Sequence, residues 1–322
     1  MDITQAKTLI EKEMQAVDTL IMGRMHSDIV LINQVGQYII NSGGKRLRPM
    51  LVLLSAGLFD YQGKNHVLMA AVIEFIHTAT LLHDDVIDES DLRRGRETAN
   101  NLWGNATSVL VGDFLYSRAF QMMIEPNIMK IMDIMAETTN IIAEGEILQL
   151  LNAHNPNTTE QKYMAVIQHK TAQLFEAAAI MGAVLTDQDQ QVEQQLLLYG
   201  KHLGTSFQLI DDALDYTSTA EELGKNVGDD LAEGKPTLPL IYALTKATDS
   251  QAELIASSIK SGGLDHIDEI LAIIKTTGAI EYTQQKAQQQ ANDAKQAIQD
   301  FPDNEYKQAM IGLADFCIQR VS

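Results

Sequence analysis

Apolar residues recur at three- and four-residue spacing along almost the whole chain, and the strict alternation that marks strands is scarce, so the pattern predicts an all-α fold. Residues 1 to about 40 read as two amphipathic helices that stop where Asn41-Ser42-Gly43-Gly44 supplies a helix-ending signal. Apolar helices are expected from Met50 to Leu58, from Val67 to Asp88, from Asn105 to Ile124 and from Tyr163 to Gly182. The methionines Met122, Met123, Met129, Met132 and Met135 suit either adaptable core filling or the lining of a flexible apolar ligand. From Ala247 to Ser322 only amphipathic helices without evident chemistry follow, and the Gln/Ala-rich stretch Gln284 to Gln299 reads as a solvent-facing helix. No Pro/Gly/Ser-rich linker interrupts the pattern, so one helical-bundle domain over residues 1–322 is expected.

The stretch Leu81-Leu82-His83-Asp84-Asp85-Val86-Ile87-Asp88 breaks the apolar pattern with three carboxylates at helical spacing. Asp84 and Asp88 fall on one helix face, with Asp85 about 100° around the same turn. The arrangement recurs in Gln208-Leu209-Ile210-Asp211-Asp212-Ala213-Leu214-Asp215. Each motif alone fits a solvated helix face, but two such faces, each after an apolar run and each followed by basic residues, suit a shared cation. Mg²⁺ takes hard oxygen ligands and is held by one or two carboxylates plus substrate phosphates, so the pair points to Mg²⁺ and a diphosphate.

The formal net charge of −19 argues against nucleic acid or an anionic membrane as a partner. It also makes the local clustering of cations informative. Of only 24 Lys and Arg residues, Lys45, Arg46, Arg48, Arg93, Arg94, Arg96, Lys225 and Lys235 lie in short Gly-containing stretches. Lys45-Arg46-Leu47-Arg48 fits an anion site or a solvated basic turn. His77 sits two turns before Asp84 on about the same face, as a hydrogen-bonded core residue or a substrate contact. Lys170-Thr171 donates to an anion or snorkels to solvent, and Asp113 is expected to hold a loop or an arginine. The first residues show no secretion signal, and no uninterrupted apolar run approaches the roughly 20 residues that span a bilayer, so a cytoplasmic protein is expected. The single cysteine, Cys317, is expected to be a buried thiol.

With these residues in view the chain resembles the trans-polyprenyl diphosphate synthases, from Gly43-Gly44-Lys45-Arg46-Leu47-Arg48-Pro49 to Gly234-Lys235-Pro236-Thr237-Leu238-Pro239. Within that family it is most similar to the members that make octaprenyl-length chains for ubiquinone. The resemblance implies an all-α, single-domain bundle of the isoprenoid synthase type around a deep central cavity, acting as a homodimer with Mg²⁺. It implies Asp84, Asp85, Asp88, Asp211, Asp212 and Asp215 as metal ligands, and Lys45, Arg48, His77 and Arg94 as the isopentenyl diphosphate site. Arg93, Lys170, Thr171, Gln208, Lys225 and Lys235 would serve the allylic substrate, with Arg93 and Lys170 joining the aspartates in catalysis.

The chemistry fits the residue types. Breaking an allylic C–O bond leaves a carbocation and a diphosphate, whose charge Mg²⁺, Lys and Arg stabilise in a water-poor site. Apolar walls then keep water from the cation. The tail must grow away from the aspartates, and Ala79 and Thr80, one turn before Asp84, are small enough to let it pass towards Met123 and Met135. A terpene cyclase would not need a second diphosphate site. A non-catalytic subunit of a heteromeric synthase would lack intact aspartate motifs, and an acidic interaction protein would need neither. Shorter (geranylgeranyl) and longer (solanesyl) products stand as alternatives to octaprenyl.

Overall fold

The computed structural model describes residues 1–217 and 227–319. The chain begins with α1 (Ile3–Leu9), α2 (Glu11–Met25) and α3 (Val30–Ile40), three helices where the apolar pattern suggested two. Asp2 forms a capping box with Gln5 that starts α1, and the break at Ile10 lets α2 begin at a new angle. Then come α4 (Leu47–Leu58) and α5 (Asn65–Ile87), a short hairpin of β1 (Leu92–Arg93) and β2 (Arg96–Glu97), α6 (Ala99–Trp103), α7 (Asn105–Ile124), α8 (Met129–Asn152) and α9 (Glu160–Ile167). A wider π-helical turn, Gln168–Ala172, joins α9 to α10 (Gln173–Leu185), and α11 (Gln190–Leu214) follows. The remaining described elements are α12 (Asp229–Ala232), α13 (Leu238–Lys246), α14 (Asp249–Ser261), α15 (Ile267–Thr276), α16 (Ala279–Ala297) and α17 (Glu305–Gln319).

Helix α5 is the central rod. Leu68 to Ile76 are buried without interruption, so this helix has no solvent face over two turns. By length and composition it would also cross a membrane, because averaged hydropathy tolerates Glu74 and His77; two-thirds of that window (67 %) is instead buried inside the bundle. Helix α10 is nearly as apolar, with Leu174, Phe175 and Ala177 to Val184 buried between α4, α5 and α11 and Glu176 the one acid among them. Helix α11 runs alongside α10 and ends at the second aspartate motif. The one large apolar cluster extends from Ala6 to Cys317, whose thiol is fully buried.

Two expectations change. The Gln/Ala-rich segment lies in α16, where Thr283, Ala287, Ala291 and Ala294 form a buried stripe against α11. Alanine at three- and four-residue spacing lets two backbones approach, and the Ser206 hydroxyl of α11 donates to the Ala287 carbonyl at 2.9 Å. The glutamines, with Lys286 and Asn292, take the solvent side between those positions. Asp113, expected to hold a loop or an arginine, instead lies 3.4 Å from His83 Nε2.

Candidate active site

A cavity of about 1560 Å³ opens between the ends of α4, α5, α8 and α11, the π turn, the β1–β2 hairpin and the α12 loop, and α16 and α17 add Gln284 and Phe316 to its wall. Its chemistry begins with helix ends that carry charge of the wrong sign. A helix C-terminus is already negative, and each further anion there costs about 0.3–1 kcal/mol. Yet α5 ends in Asp84, Asp85 and its C-cap Asp88, and α11 ends in Asp211, Asp212 and its C-cap Asp215. Conversely, α4 begins with Arg46 as N-cap and Arg48 in the first turn, with no acid there to offset them. Facing ends of this kind ask for cations on one side and an anion on the other.

The helix periodicity sorts the aspartates. Asp84, Asp88 and Asp211 line the cavity. Asp85, Asp212 and Asp215 do not; all three are buried behind it. Asp85 Oδ1 accepts from Arg93 Nε and Nη2, both at 2.6 Å, while its Oδ2 has no hydrogen-bond partner. Asp212 accepts from the Tyr163 hydroxyl at 2.5 Å and from Gln208 Nε2 at 2.7 Å. Asp215 Oδ2 accepts from the Asp230 backbone N–H at 3.2 Å.

Lysines meet the cavity-facing carboxylates. Lys235 Nζ lies 2.9 Å from Asp88 and also pairs with Glu233. Burial alone would lower this ammonium, but Asp88, Glu233 and Asp230 raise it above the usual lysine value. Lys170 Nζ donates to Glu146 at 2.7 Å and Gln149 at 2.6 Å and stands 3.8 Å from Asp84. Burial and the Asp84 charge push Glu146 up to about 7, against the pull of Lys170. The π turn places Lys170 and Thr171 together on the cavity wall. It is accommodated by Gly145 of α8, where a Cβ would come within 2.6 Å of the Lys170 backbone nitrogen. Such wide turns are frequent at functional sites.

The opposite wall is basic. The Arg48 guanidinium donates to His77 Nε2 at 3.2 Å and stacks over the Phe175 ring at 4.4 Å. Burial lowers Arg48 to about 10, still charged at neutral pH, and burial with Arg48, Arg94, Arg93 and Arg46 holds His77 well below its usual value. His77 is therefore a neutral hydrogen-bonding group. Arg46 pairs with Glu74, and Lys45 lies over the Phe316 ring at 5.6 Å. Arg94 and Gly95 form the two-residue turn of the hairpin with φ of 54° and 73°, a type I′ geometry that glycine accepts freely and arginine does not. The turn sets the Arg94 guanidinium against Gly44, where a Cβ would lie 2.8 Å from Nη1.

Thus Lys45, Arg48, His77, Arg93, Arg94, Lys170, Thr171, Gln208 and Lys235 all line one cavity. Lys225 lies outside the described residues. Of the positions expected along the tail, Thr80 lines the cavity, whereas Ala79, Met123 and Met135 are fully buried. Sequence reasoning passed over Tyr163, Phe175, Asp229, Asp230 and Glu233. For Asp229 and Asp230 a signal existed, two acids after Gly228 in a lysine-bearing loop. For Tyr163 none did, since its carboxylate partner is on another helix far along the chain.

Residues 29–276 match the sequence profile of a family described as Polyprenyl synthetase. The chain is 50 % identical over 321 residues to an octaprenyl diphosphate synthase of Escherichia coli (strain K12), covering 99 % of each chain. It is 42 % identical over 313 residues to a geranyl-diphosphate-specific all-trans-nonaprenyl-diphosphate synthase of Rhodobacter capsulatus, covering 97 % of this chain and 96 % of the other. Among solved structures, a polyprenyl synthase from Caulobacter crescentus CB15, complexed with calcium and isoprenyl diphosphate, superposes with a TM-score of 0.96 at 43 % identity, covering 100 % of this chain and 98 % of that one.

Proposed function

The chain belongs to the polyprenyl synthetase family, and from that premise we propose that it extends an allylic diphosphate, farnesyl diphosphate, with isopentenyl diphosphate units to an octaprenyl chain for ubiquinone. It is a long-chain trans-polyprenyl synthase, a prenyltransferase. The observation that carries the reading is the opposition, across one cavity, of carboxylate-bearing C-termini and a cation-bearing N-terminus. Two diphosphates would then bind at different walls, with their carbon chains between them.

Mg²⁺ fits the acidic wall. Among the described residues no three carboxylates or imidazoles come close enough to cage an ion unaided, and an ion that keeps substrate phosphates among its ligands needs no such cage. Asp84, Asp88 and Asp211 would hold it, and the metal would neutralise charge developing on the departing diphosphate. Lys170 and Lys235 would bind the allylic diphosphate oxygens, with Thr171 and Gln208 beside them. Arg48, Arg94 and Lys45 would fix isopentenyl diphosphate so that its double bond faces the allylic carbon, with neutral His77 donating a hydrogen bond. Phe175, Leu174, Leu81 and Phe207 supply apolar wall that excludes water from the cation.

The assembly would be a homodimer in the cytoplasm, each protomer one domain. Exposed Leu110 on α7 and Ile147, Leu150 and Leu151 on the neighbouring α8 offer the apolar surface a second copy would cover. The test is incubation of the purified chain with radiolabelled isopentenyl diphosphate, farnesyl diphosphate and Mg²⁺. Octaprenyl diphosphate is expected, and chelation should abolish it; no incorporation by the chain alone would instead favour a subunit that needs a partner.

A further inference from the structure

We infer that Tyr163 is a positioning residue for the second aspartate motif: its hydroxyl holds the Asp212 carboxylate behind the cavity wall, so that Asp211 is the member of the pair that faces the substrate. The inference rests on the active-site reading above. Asp211 and Asp212 are adjacent on α11 and therefore point about 100° apart, so only one of them can be presented to the cavity. Which one is decided by what receives the other.

Asp212 is received by neutral donors on both oxygens, Tyr163 of α9 on Oδ2 at 2.5 Å and Gln208, one turn earlier on α11, on Oδ1 at 2.7 Å. Gln208 in turn accepts from the Thr171 hydroxyl at 2.9 Å. The chain Tyr163–Asp212–Gln208–Thr171 thereby ties α9, the π turn and α11 into one hydrogen-bonded unit. Tyr163 is itself buried, and its ring packs with Ile167, Leu209, Ile210 and Leu238, which fixes where the hydroxyl sits. Behind the wall lies a small chamber of about 80 Å³ bordered by Tyr163, Asp212, Lys170, Thr171 and Lys235.

A buried carboxylate that loses a donor must find another, and the nearest change open to Asp212 is a turn towards the cavity or its lysines. That turn would carry Gln208 and Thr171 with it and misplace Asp211. All of these groups belong to the allylic wall. Arg48, His77 and Arg94 lie on α4, α5 and the hairpin and share no hydrogen bond with the unit.

The test compares Tyr163→Phe, Asp212→Asn and Asp211→Asn in the full-length protein. Tyr163→Phe is expected to raise the allylic KM about tenfold while the isopentenyl KM stays within twofold, and to weaken calorimetric binding of an unreactive thio-analogue of the allylic diphosphate by the same factor. Asp212→Asn retains an acceptor for Gln208 and a donor towards the tyrosine oxygen, so its loss should stay within about tenfold, whereas Asp211→Asn should lose several hundredfold. Unchanged constants in Tyr163→Phe overturn the inference. So does a loss shared equally between the two substrates, which marks a structural role only, and so does an Asp212→Asn loss as deep as that of Asp211→Asn. If Asp211→Asn itself behaves like the parent, the active-site reading fails first, and the inference with it.

Discussion

Lys235 Nζ lies 2.9 Å from Asp88 Oδ2, so the loop that follows the second aspartate motif reaches back to the first. The contact joins the acidic wall to a loop almost 150 residues further along the chain. On the proposed reading, Lys235 is a cation beside the place a diphosphate oxygen would take.

Replacing that lysine would, on that reading, remove a charge-assisted contact that strengthens as the leaving group gains charge. Lys235→Ala should lower kcat/KM for the allylic substrate about a hundredfold, equivalent to about 2.7 kcal/mol, with the isopentenyl KM changed little. Steady-state kinetics with each substrate varied in turn checks this. A loss confined to the isopentenyl KM would place Lys235 on the wrong wall.

Gly44 has φ of 145° and carries the Arg94 guanidinium against its open face. Gly44→Ala should strain the turn and push Arg94 away, raising the isopentenyl KM about tenfold. Arg48→Ala should do the same directly, and the double variant should be less than additive because both act on one site. Additive losses, measured in a double-mutant cycle, would show the two arginines to be independent.

Ala79 is fully buried beside Thr80, which lines the cavity one turn from Asp84. A large ring at position 79 must displace buried neighbours, and Thr80 beside it already faces the cavity. Ala79→Tyr is expected to give shorter main products, near farnesyl or geranylgeranyl length, read by chromatography of the dephosphorylated chains. Full-length products together with a stability loss of about 1–3 kcal/mol would mean that the residue is small only for helix packing.

Glu176 of α10 has its carboxyl pushed up to about 7 by burial, against the attraction of Lys201. Its folded value lies above its unfolded one, so the native state binds this proton more tightly. Ionising it therefore costs stability, beginning near pH 4.5 and complete above about 7. Glu176→Gln should raise Tm by about 2 °C at pH 8 and leave it unchanged at pH 4.5, as followed by circular dichroism. A gain of the same size at both values would assign the effect to packing.

The sequence by itself determined most of the helices, though not the break at Ile10 between the first two, together with the two aspartate motifs and the clustering of scarce cations, because these depend on periodicity and on neighbours within a turn. Asp84 and Asp88 share a face by the 3.6-residue repeat alone, and so does the divergence of Asp85. Local spacing failed where the answer depended on what lies across a packing interface. The glutamine-rich α16 looked solvated because glutamine dominates its composition, yet its alanines decide the packing against α11. Only the tertiary structure put Gly44 under Arg94, Lys235 against Asp88 and Tyr163 against Asp212, since each pair joins separate elements whose relative placement is set by the packed core. Which carboxylate of each adjacent pair turns from the cavity goes with its donors, Arg93 for Asp85 and Tyr163 with Gln208 for Asp212, because a buried carboxylate goes where its donors are.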